Sequence, residues 1–184
     1  MKITVFGSSH PKPGDPAYQE AFQLGKLIGS DGHTVLTGGY IGTMEAVSKG
    51  AASTGSHVIG VTCDQIEAWR PVRPNSWVME ERRYPTLPER VIALIEGCEA
   101  AFGLPGGPGT LTEIAMMWNL LLTSSITPRP LILIGEGWFY TFETFLSRLG
   151  DFIPDSQRGW LSFAPDVQAG YQLLNLSGNR QRSP

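Results

Sequence analysis

Short apolar segments that end at glycine or serine alternate along this chain with longer segments of helical periodicity. Residues 3–6, 34–37 and 58–61 are short runs rich in Ile, Val, Leu and Thr, which is typical of buried strands. Residues 16–30 and 44–52 lie between them and repeat their apolar side chains at helical spacing. Parallel strands need such helical crossovers, because a tight turn cannot join them. The first third of the chain is therefore predicted to be a βαβαβ unit.

The segment from Cys63 to Pro88 interrupts this alternation. Four arginines and four prolines are spread through it: Arg70, Arg73, Arg82, Arg83, Pro71, Pro74, Pro85 and Pro88. We interpret the segment as a long connection with one strand near residues 77–79. A connection of this length inside a compact domain is often functional.

The alternation resumes after Pro88. It predicts a helix over 88–97, a strand over 100–104, a helix over 110–123, a strand over 130–134, a helix over 138–149, an edge strand over 160–163 and a short helix after Asp166. The whole pattern indicates an α/β fold with a Rossmann-like, doubly wound, mainly parallel sheet flanked by helices. We expect one domain over residues 1–177 and a frayed tail over 178–184.

Composition excludes several classes of protein. With 41% hydrophobic and 17% charged residues among 184, the chain can form a core and is not intrinsically disordered. Its formal net charge of -3 gives no overall attraction to nucleic acid or to an anionic membrane. Two cysteines are too few for a disulfide scaffold, and no apolar run reaches the roughly 18 residues of a membrane span. We expect a cytoplasmic protein without a signal peptide, because the first residues already enter a strand.

Three predicted strand-to-helix junctions are rich in glycine or serine: residues 7–9, 38–43 and 105–110. In an open parallel sheet, ligands bind where strands end and helices begin. Glycine lets the backbone approach a ligand closely, and the helix that follows offers free N–H groups and the positive end of its dipole. The turns are therefore predicted to form an anion-binding site that needs no lysine. The alternative, strongest for residues 7–9, is that these residues only make tight turns.

Glu113 is the strongest single candidate for a catalytic residue. It lies in the helix that follows the third glycine turn, where a carboxylate would face a ligand bound at the helix N-terminus. There it could orient water or stabilise a developing cation beside a bound phosphate. The alternative is structural, because Glu113 follows Thr110 by three positions, which is the spacing of a capping box.

Residues 105–113, Pro-Gly-Gly-Pro-Gly-Thr-Leu-Thr-Glu, resemble the PGGxGTxxE signature of the LOG family. The members of this family are cytokinin riboside 5′-monophosphate phosphoribohydrolases. Residues 5–9 are similar to the family's opening strand and loop, and residues 38–44 to its second glycine turn. The resemblance covers residues 3–135.

The resemblance implies hydrolysis of the N-glycosidic bond of a nucleoside 5′-monophosphate, which gives a free base and ribose 5-phosphate. It implies a catalytic pair in which the glutamate is Glu113 and the arginine is Arg90, which stands at the family's distance ahead of the signature. Arg82 or Arg83 is an alternative for the arginine, because the family's arginine motif is not intact here. The resemblance leaves the identity of the substrate's base open, since Thr112 stands where cytokinin-active members usually have a second glutamate.

The resemblance also implies substrate-binding residues. They are Gly106, Gly107, Gly109 and Thr110 for the 5′-phosphate, with Ser8, Ser9, Gly39 and Met44 as further contacts. It implies a homodimer as well. The helix over 114–122 is apolar nearly all round, and the dimer would bury its second face. Core packing within one chain is the alternative explanation for this helix.

No cofactor is expected, because Lys49 is badly placed for a Schiff base. No metal is expected either, because the histidines and cysteines lack ligand spacing.

A non-catalytic nucleotide-binding sensor or carrier module is the competing interpretation. The same glycine turns would bind a nucleotide without cleaving it. Glu113 together with a suitably placed arginine favours the enzyme.

Overall fold

The computed structural model describes residues 1–180, except for the side chains of residues 156, 157 and 177–180. The elements follow one another as β1 (Lys2–Phe6), α1 (Pro16–Ser30), β2 (Thr34–Thr37), α2 (Thr43–Ala52), β3 (Val58–Cys63), α3 (Asp64–Trp69), β4 (Glu80–Tyr84), α4 (Leu87–Glu96), β5 (Ala100–Gly103), α5 (Pro108–Leu122), β6 (Leu131–Ile134), α6 (Glu136–Leu149), α7 (Asp155–Arg158), β7 (Leu161–Ala164) and α8 (Val167–Arg180). A short 3-10 turn, Gly150–Phe152, links α6 to α7.

Within the described residues, seven strands form one parallel sheet in the order β4-β3-β2-β1-β5-β6-β7. Helices α1, α2 and α8 pack on one face, around Ile3, Val35 and Phe102. Helices α4, α5 and α6 pack on the other face, around Leu36 and Leu133. The inner strands β5 and β6 are buried along their whole length because both faces are covered. The prediction of a doubly wound α/β fold is confirmed.

The chain reverses its direction across the sheet between β1 and β5. Strand β1 leads through α1 to β2 on one side, whereas β5 leads through α5 to β6 on the other. The loops that leave Phe6 and Gly103 therefore diverge and open a crevice at the carboxyl end of the sheet. Two of the predicted glycine turns lie in these loops, so the topology places them side by side.

The connection from Cys63 to Pro88 contains more regular structure than the sequence predicts. It holds helix α3 and strand β4, which pairs with β3. The predicted strand near residues 77–79 is wrong, because that segment only leads into β4. Strand β4, Glu-Glu-Arg-Arg-Tyr, lies at the edge of the sheet. Charged side chains are common on edge strands because they prevent pairing with further strands, so hydrophobicity does not reveal such a strand.

The C-terminal elements close the other edge of the sheet. Strand β7 confirms the predicted edge strand, and α8 is longer than the short helix that was predicted. The helical backbone of α8 reaches Arg180 and so includes the start of the predicted frayed tail; residues 181–184 lie outside the described residues. No helix in the described part of the chain combines the length and the apolar content of a membrane span.

Helices α1 and α2 approach each other so closely that glycine is required at their contact. A Cβ atom on Gly25 would overlap the carbonyl oxygen of Val47, and one on Gly50 would overlap that of Phe22. Both collisions are with backbone atoms, which cannot rotate away as a side chain can. The absence of side chains at these two positions therefore sets the distance between the helices that cover β1 and β2.

Gly25→Ala is expected to destabilise the fold by about 2 kcal/mol, because the two helices must separate to admit the methyl group. Gly137→Ala is the matched control, since Gly137 also lies in a helix, α6, but has open space where its Cβ would stand. Chemical denaturation should show a lower free energy of unfolding for the first variant only. Equal stability of the two variants would contradict the close helix contact.

Candidate active site

A cavity of about 370 Å³ opens at the carboxyl end of the sheet. Its walls come from the loops after β1 and β2, from the start of α2, from α3, and from the first two turns of α4 and α5. This volume lies in the range of small-molecule sites. The crevice that the strand order creates is therefore large enough for a small ligand.

The N-terminus of α5 forms an open part of the cavity wall. Gly107 and Gly109 line the cavity, and no atom of the described residues lies within 4 Å of the place where a Cβ would stand on either of them. Pro108 occupies the first helical position, and the N-cap residue, Gly107, has no side chain that could cap the helix. The N–H groups of the first turn lack partners within the helix and can donate to a ligand. Helix α4, by contrast, begins with a complete capping box.

The capping-box alternative for Glu113 is wrong. Gly107, and not Thr110, is the N-cap residue of α5, and it makes no side-chain capping hydrogen bond. Thr110 is buried and lines the cavity. Gly106 stands behind Thr110, because a Cβ on Gly106 would collide with the Thr110 side chain. Of the four residues predicted to bind the phosphate, Gly107, Gly109 and Thr110 line the cavity and Gly106 does not.

Arg90 and Glu113 meet in the cavity wall. Nη1 of Arg90 lies 3.4 Å from Oε1 of Glu113, and the two residues are 5% and 8% exposed. Arg90 belongs to the first turn of α4 and Glu113 to the second turn of α5. Two helices that are separate in the sequence therefore bring the predicted pair together as a buried ion pair.

Burial raises the pKa of Glu113 to about 7, because the loss of water disfavours the carboxylate. Arg90 opposes this shift without cancelling it, since its contact with Oε1 is at the long end of the hydrogen-bond range. A carboxyl group with a pKa near neutrality exchanges protons readily at physiological pH. Glu113 thus has the property required of a general acid or base.

Backbone and ring contacts fix the guanidinium group of Arg90. Its Nε donates a hydrogen bond of 2.8 Å to the carbonyl oxygen of Val61, and its Cζ lies 5.9 Å from the centre of the Tyr40 ring. Gly38 makes room for the group, because a Cβ at that position would collide with Nη2 of Arg90. Gly38 and Tyr40 both lie in the predicted second glycine turn, residues 38–43. The contacts of Gly38, Tyr40 and Val61 with Arg90 were not predicted, since only tertiary packing brings these residues together.

The other predicted binding residues divide into two groups. Ser8, Ser9 and Met44 line the cavity. Gly39 does not line it. Gly39 has φ +79°, and a Cβ on it would lie 3.1 Å from the Cα of Gly60 on β3. Its role lies in the shape of the turn and in the close approach of that turn to β3.

Arg82 and Arg83, the alternative arginines, lie on β4 and outside the cavity wall. Nε of Arg82 donates to Glu80 at 2.7 Å, and Arg83 contacts Asp64 and Glu67 at 2.6 and 2.9 Å. Both arginines are engaged in ion pairs at the edge of the sheet. Arg90 is the arginine that the fold brings to Glu113.

The wall contributed by α3 was not predicted. Ile66, Trp69 and Arg70 line the cavity, although the sequence suggested only a connection there. A helix of six residues gives too few turns for a periodic signal.

Among the residues that the structure describes, no three His, Cys, Asp or Glu side chains are grouped so as to hold a metal ion.

Comparisons with known proteins show the family to which the chain is similar. The model of the SLOG cluster4 family matches residues 1–123, which include both members of the buried ion pair. This chain is 31% identical to the cytokinin riboside 5′-monophosphate phosphoribohydrolase LOG7 of Arabidopsis thaliana over 175 residues. These residues cover 91% of this chain and 77% of that protein. The enzyme LOG of Oryza sativa subsp. japonica is 35% identical over 176 residues, which cover 91% of this chain and 69% of that protein.

Solved structures share the fold. The molybdenum cofactor binding protein from Rippkaea orientalis matches with a TM-score of 0.75 and 21% identity, over 96% of each chain. At that identity the likeness shows the fold alone.

The family model and the two plant relatives show the family as well as the fold, and they confirm the resemblance carried by the glycine signature. This chain belongs to the SLOG cluster4 family of LOG-like proteins.

Proposed function

We propose that this protein hydrolyses the N-glycosidic bond of a nucleoside 5′-monophosphate and releases the free base and ribose 5-phosphate. The proposal is carried by one observation: the buried Arg90–Glu113 pair and an uncapped helix N-terminus share one cavity. The reaction needs both an anion site for the phosphate and a carboxyl group that can accept a proton. The named activity of the two plant relatives supports the same conclusion.

In the proposed complex, the N-terminus of α5 binds the 5′-phosphate through the N–H groups of Gly107, Gly109 and Thr110. Backbone donors and the helix dipole attract the phosphate without a lysine. The phosphate then holds the ribose beside Glu113, which follows on the next turn of the same helix. Ser8, on the facing loop, offers a hydroxyl group to the sugar.

Glu113 acts in its carboxylate form. It accepts a proton from a water molecule while the water oxygen bonds to C1′ of the ribose and the bond from C1′ to the base nitrogen breaks. The electron pair of the broken bond leaves with the base, which takes up a proton from the solvent, and Glu113 then releases the proton that it accepted from the water molecule to the solvent. The carboxylate also stabilises the positive charge that develops on the sugar ring. Arg90 orients Glu113 and binds substrate oxygens.

A second candidate function is that of a carrier, which binds a phosphate-bearing ligand without cleaving it. The match in fold to a molybdenum cofactor binding protein favours this alternative. The uncapped N-terminus of α5 would serve both functions, whereas the buried acid–base pair is needed only by the hydrolase. Incubation with several nucleoside monophosphates separates the two: release of free base supports the hydrolase, and tight binding without release supports the carrier.

The homodimer is part of the proposal. Helix α5 is not buried on every side within one chain, because Leu111 and Met116 are exposed. A second subunit packed on α5, beside the cavity, would cover both side chains.

Glu113→Gln is expected to lower turnover by a factor of about 10²–10⁴, because the amide cannot accept the proton. Nucleotide affinity should stay largely unchanged, since the amide keeps the size of the carboxyl group. Turnover is measured as released base, and affinity by calorimetry. Arg82→Gln is the matched control, because Arg82 lies outside the cavity and should leave both quantities unchanged. Full turnover by E113Q would reject the catalytic role.

The pH dependence of kcat/KM should report the pKa of Glu113. Because the carboxylate is the active form and burial raises its pKa to about 7, kcat/KM should rise up to about pH 7 and then level off. Initial rates measured from about pH 5 to about pH 9 test this expectation. A flat profile across this range would contradict Glu113 as the base.

The raised pKa of Glu113 also affects stability. The folded chain binds this proton more tightly than the unfolded chain. The contribution of the protonated carboxyl group to the free energy of unfolding is therefore fully present below pH 4.5 and is lost as the pH rises through about 7. For a pKa shift of this size, that contribution is about 3 kcal/mol. The melting temperature of Glu113→Gln, which cannot ionise, should therefore fall less over this range than that of the wild-type protein. Glu143→Gln, an exposed site on α6, is the control; parallel curves for E113Q and wild type would contradict the expectation.

A further inference from the structure

Trp69 exposes a large aromatic ring in the cavity. It ends α3, lines the cavity, and is 80% exposed. A tryptophan ring left in water forgoes the free energy that its burial would give. The ring is therefore available to a flat apolar group of a ligand.

Two apolar side chains, Ile66 and Leu87, line the cavity together with Trp69. Ile66 precedes Trp69 by one turn on α3 and also lines the cavity. Leu87, at the start of α4, is held beside α3 because its N–H donates to Oε1 of Gln65 at 2.8 Å. The cavity thus has a hydrogen-bonding end at α5, and beside α3 it has the apolar side chains of Ile66, Trp69 and Leu87 with Arg70 next to the Trp69 ring. A nucleoside monophosphate has the same polarity, with a phosphate at one end and a flat base at the other.

Arg70 ties the end of α3 across the cavity. Its Nη1 donates a hydrogen bond of 3.2 Å to Oγ of Ser9 in the loop after β1, and its Cζ lies 5.8 Å from the centre of the Trp69 ring. Its Nε is buried and has no hydrogen-bond partner within the described structure. A buried donor of this kind is unfavourable unless a ligand or water supplies an acceptor.

We propose that Trp69 stacks on the base of the bound nucleotide and that Arg70 positions Trp69 for this contact. The inference rests on the proposed function, because it takes the phosphate to lie at the N-terminus of α5. Aromatic stacking on a base contributes about tenfold or more to affinity. A tryptophan ring overlaps a two-ring base more completely than a one-ring base, so Trp69 should favour two-ring bases.

The test measures calorimetric binding of adenosine 5′-monophosphate, cytidine 5′-monophosphate and ribose 5-phosphate to the full chain. Trp69→Ala is expected to weaken binding of the adenine nucleotide about tenfold, that of the cytosine nucleotide less, and that of ribose 5-phosphate not at all. Trp69→Phe should restore most of the loss, because it keeps a ring. Phe152→Ala is the matched control: Phe152 is 83% exposed and lies outside the cavity.

Arg70 is tested by a double-mutant cycle. If it acts by positioning Trp69, Arg70→Ala weakens adenosine 5′-monophosphate binding in the wild-type background and adds little to Trp69→Ala. Weaker binding of ribose 5-phosphate by Arg70→Ala would instead show that Arg70 contacts the sugar phosphate itself, and would overturn the positioning role.

Two outcomes overturn the role of Trp69. The first is unchanged adenosine 5′-monophosphate affinity in Trp69→Ala, and the second is an equal loss for all three ligands. In either case the wild-type protein still binds nucleotide, and the proposed function stands. Failure of the wild-type protein to bind any of the three ligands would instead overturn the proposed function together with this inference.

Discussion

The buried ion pair between Arg90 and Glu113 is the interaction on which the candidate site depends. Neither charge is stable alone in the interior, because removing an ion from water costs several kcal/mol. The contact of 3.4 Å offsets only part of this cost, and the pKa of Glu113 stays raised as a result. The pair persists because two helices on the same face of the sheet, α4 and α5, hold its members beside the carboxyl ends of the strands. A carboxyl group kept in this way is suited to exchanging a proton.

Close approach of backbone segments makes this arrangement possible. A Cβ on Gly38 would displace the guanidinium group of Arg90, and a Cβ on Gly7 would collide with the side chain of Thr43 at the start of α2. Gly42 has φ +77°, and a Cβ on it would collide with the carbonyl oxygen of Ser8. The loops after β1 and β2 therefore touch each other beside the crevice that opens between β1 and β5. Gly7 and Gly38 line the cavity, and the absence of a Cβ there leaves room for Thr43 and Arg90. Gly107 and Gly109 also line it, and among the described residues nothing occupies the place where their Cβ atoms would stand.

Some features could be predicted from the sequence because they depend on local patterns. Apolar runs and helical periodicity located β1, α1 and β2 to within a residue, and the glycine signature located the N-terminus of α5. The charged strand β4 and the short helix α3 gave no such pattern, so they were missed. In the site, Glu113 and Arg90 could be named from the signature and its spacing. The contact of Tyr40 with Arg90 and the place of Trp69 in the wall could not, because only the folded chain creates them. The same holds for Nε of Arg70, which is buried without a partner among the described residues.

The central claim is that a nucleotide binds with its phosphate on the first turn of α5 and its sugar against residue 113. A crystal structure of the E113Q variant with a bound nucleoside 5′-monophosphate tests this claim most directly. The account predicts phosphate oxygens within hydrogen-bond distance of the N–H groups of Gly107, Gly109 and Thr110, with C1′ facing the side chain of residue 113. A phosphate bound elsewhere, or a ribose turned away from residue 113, would contradict it.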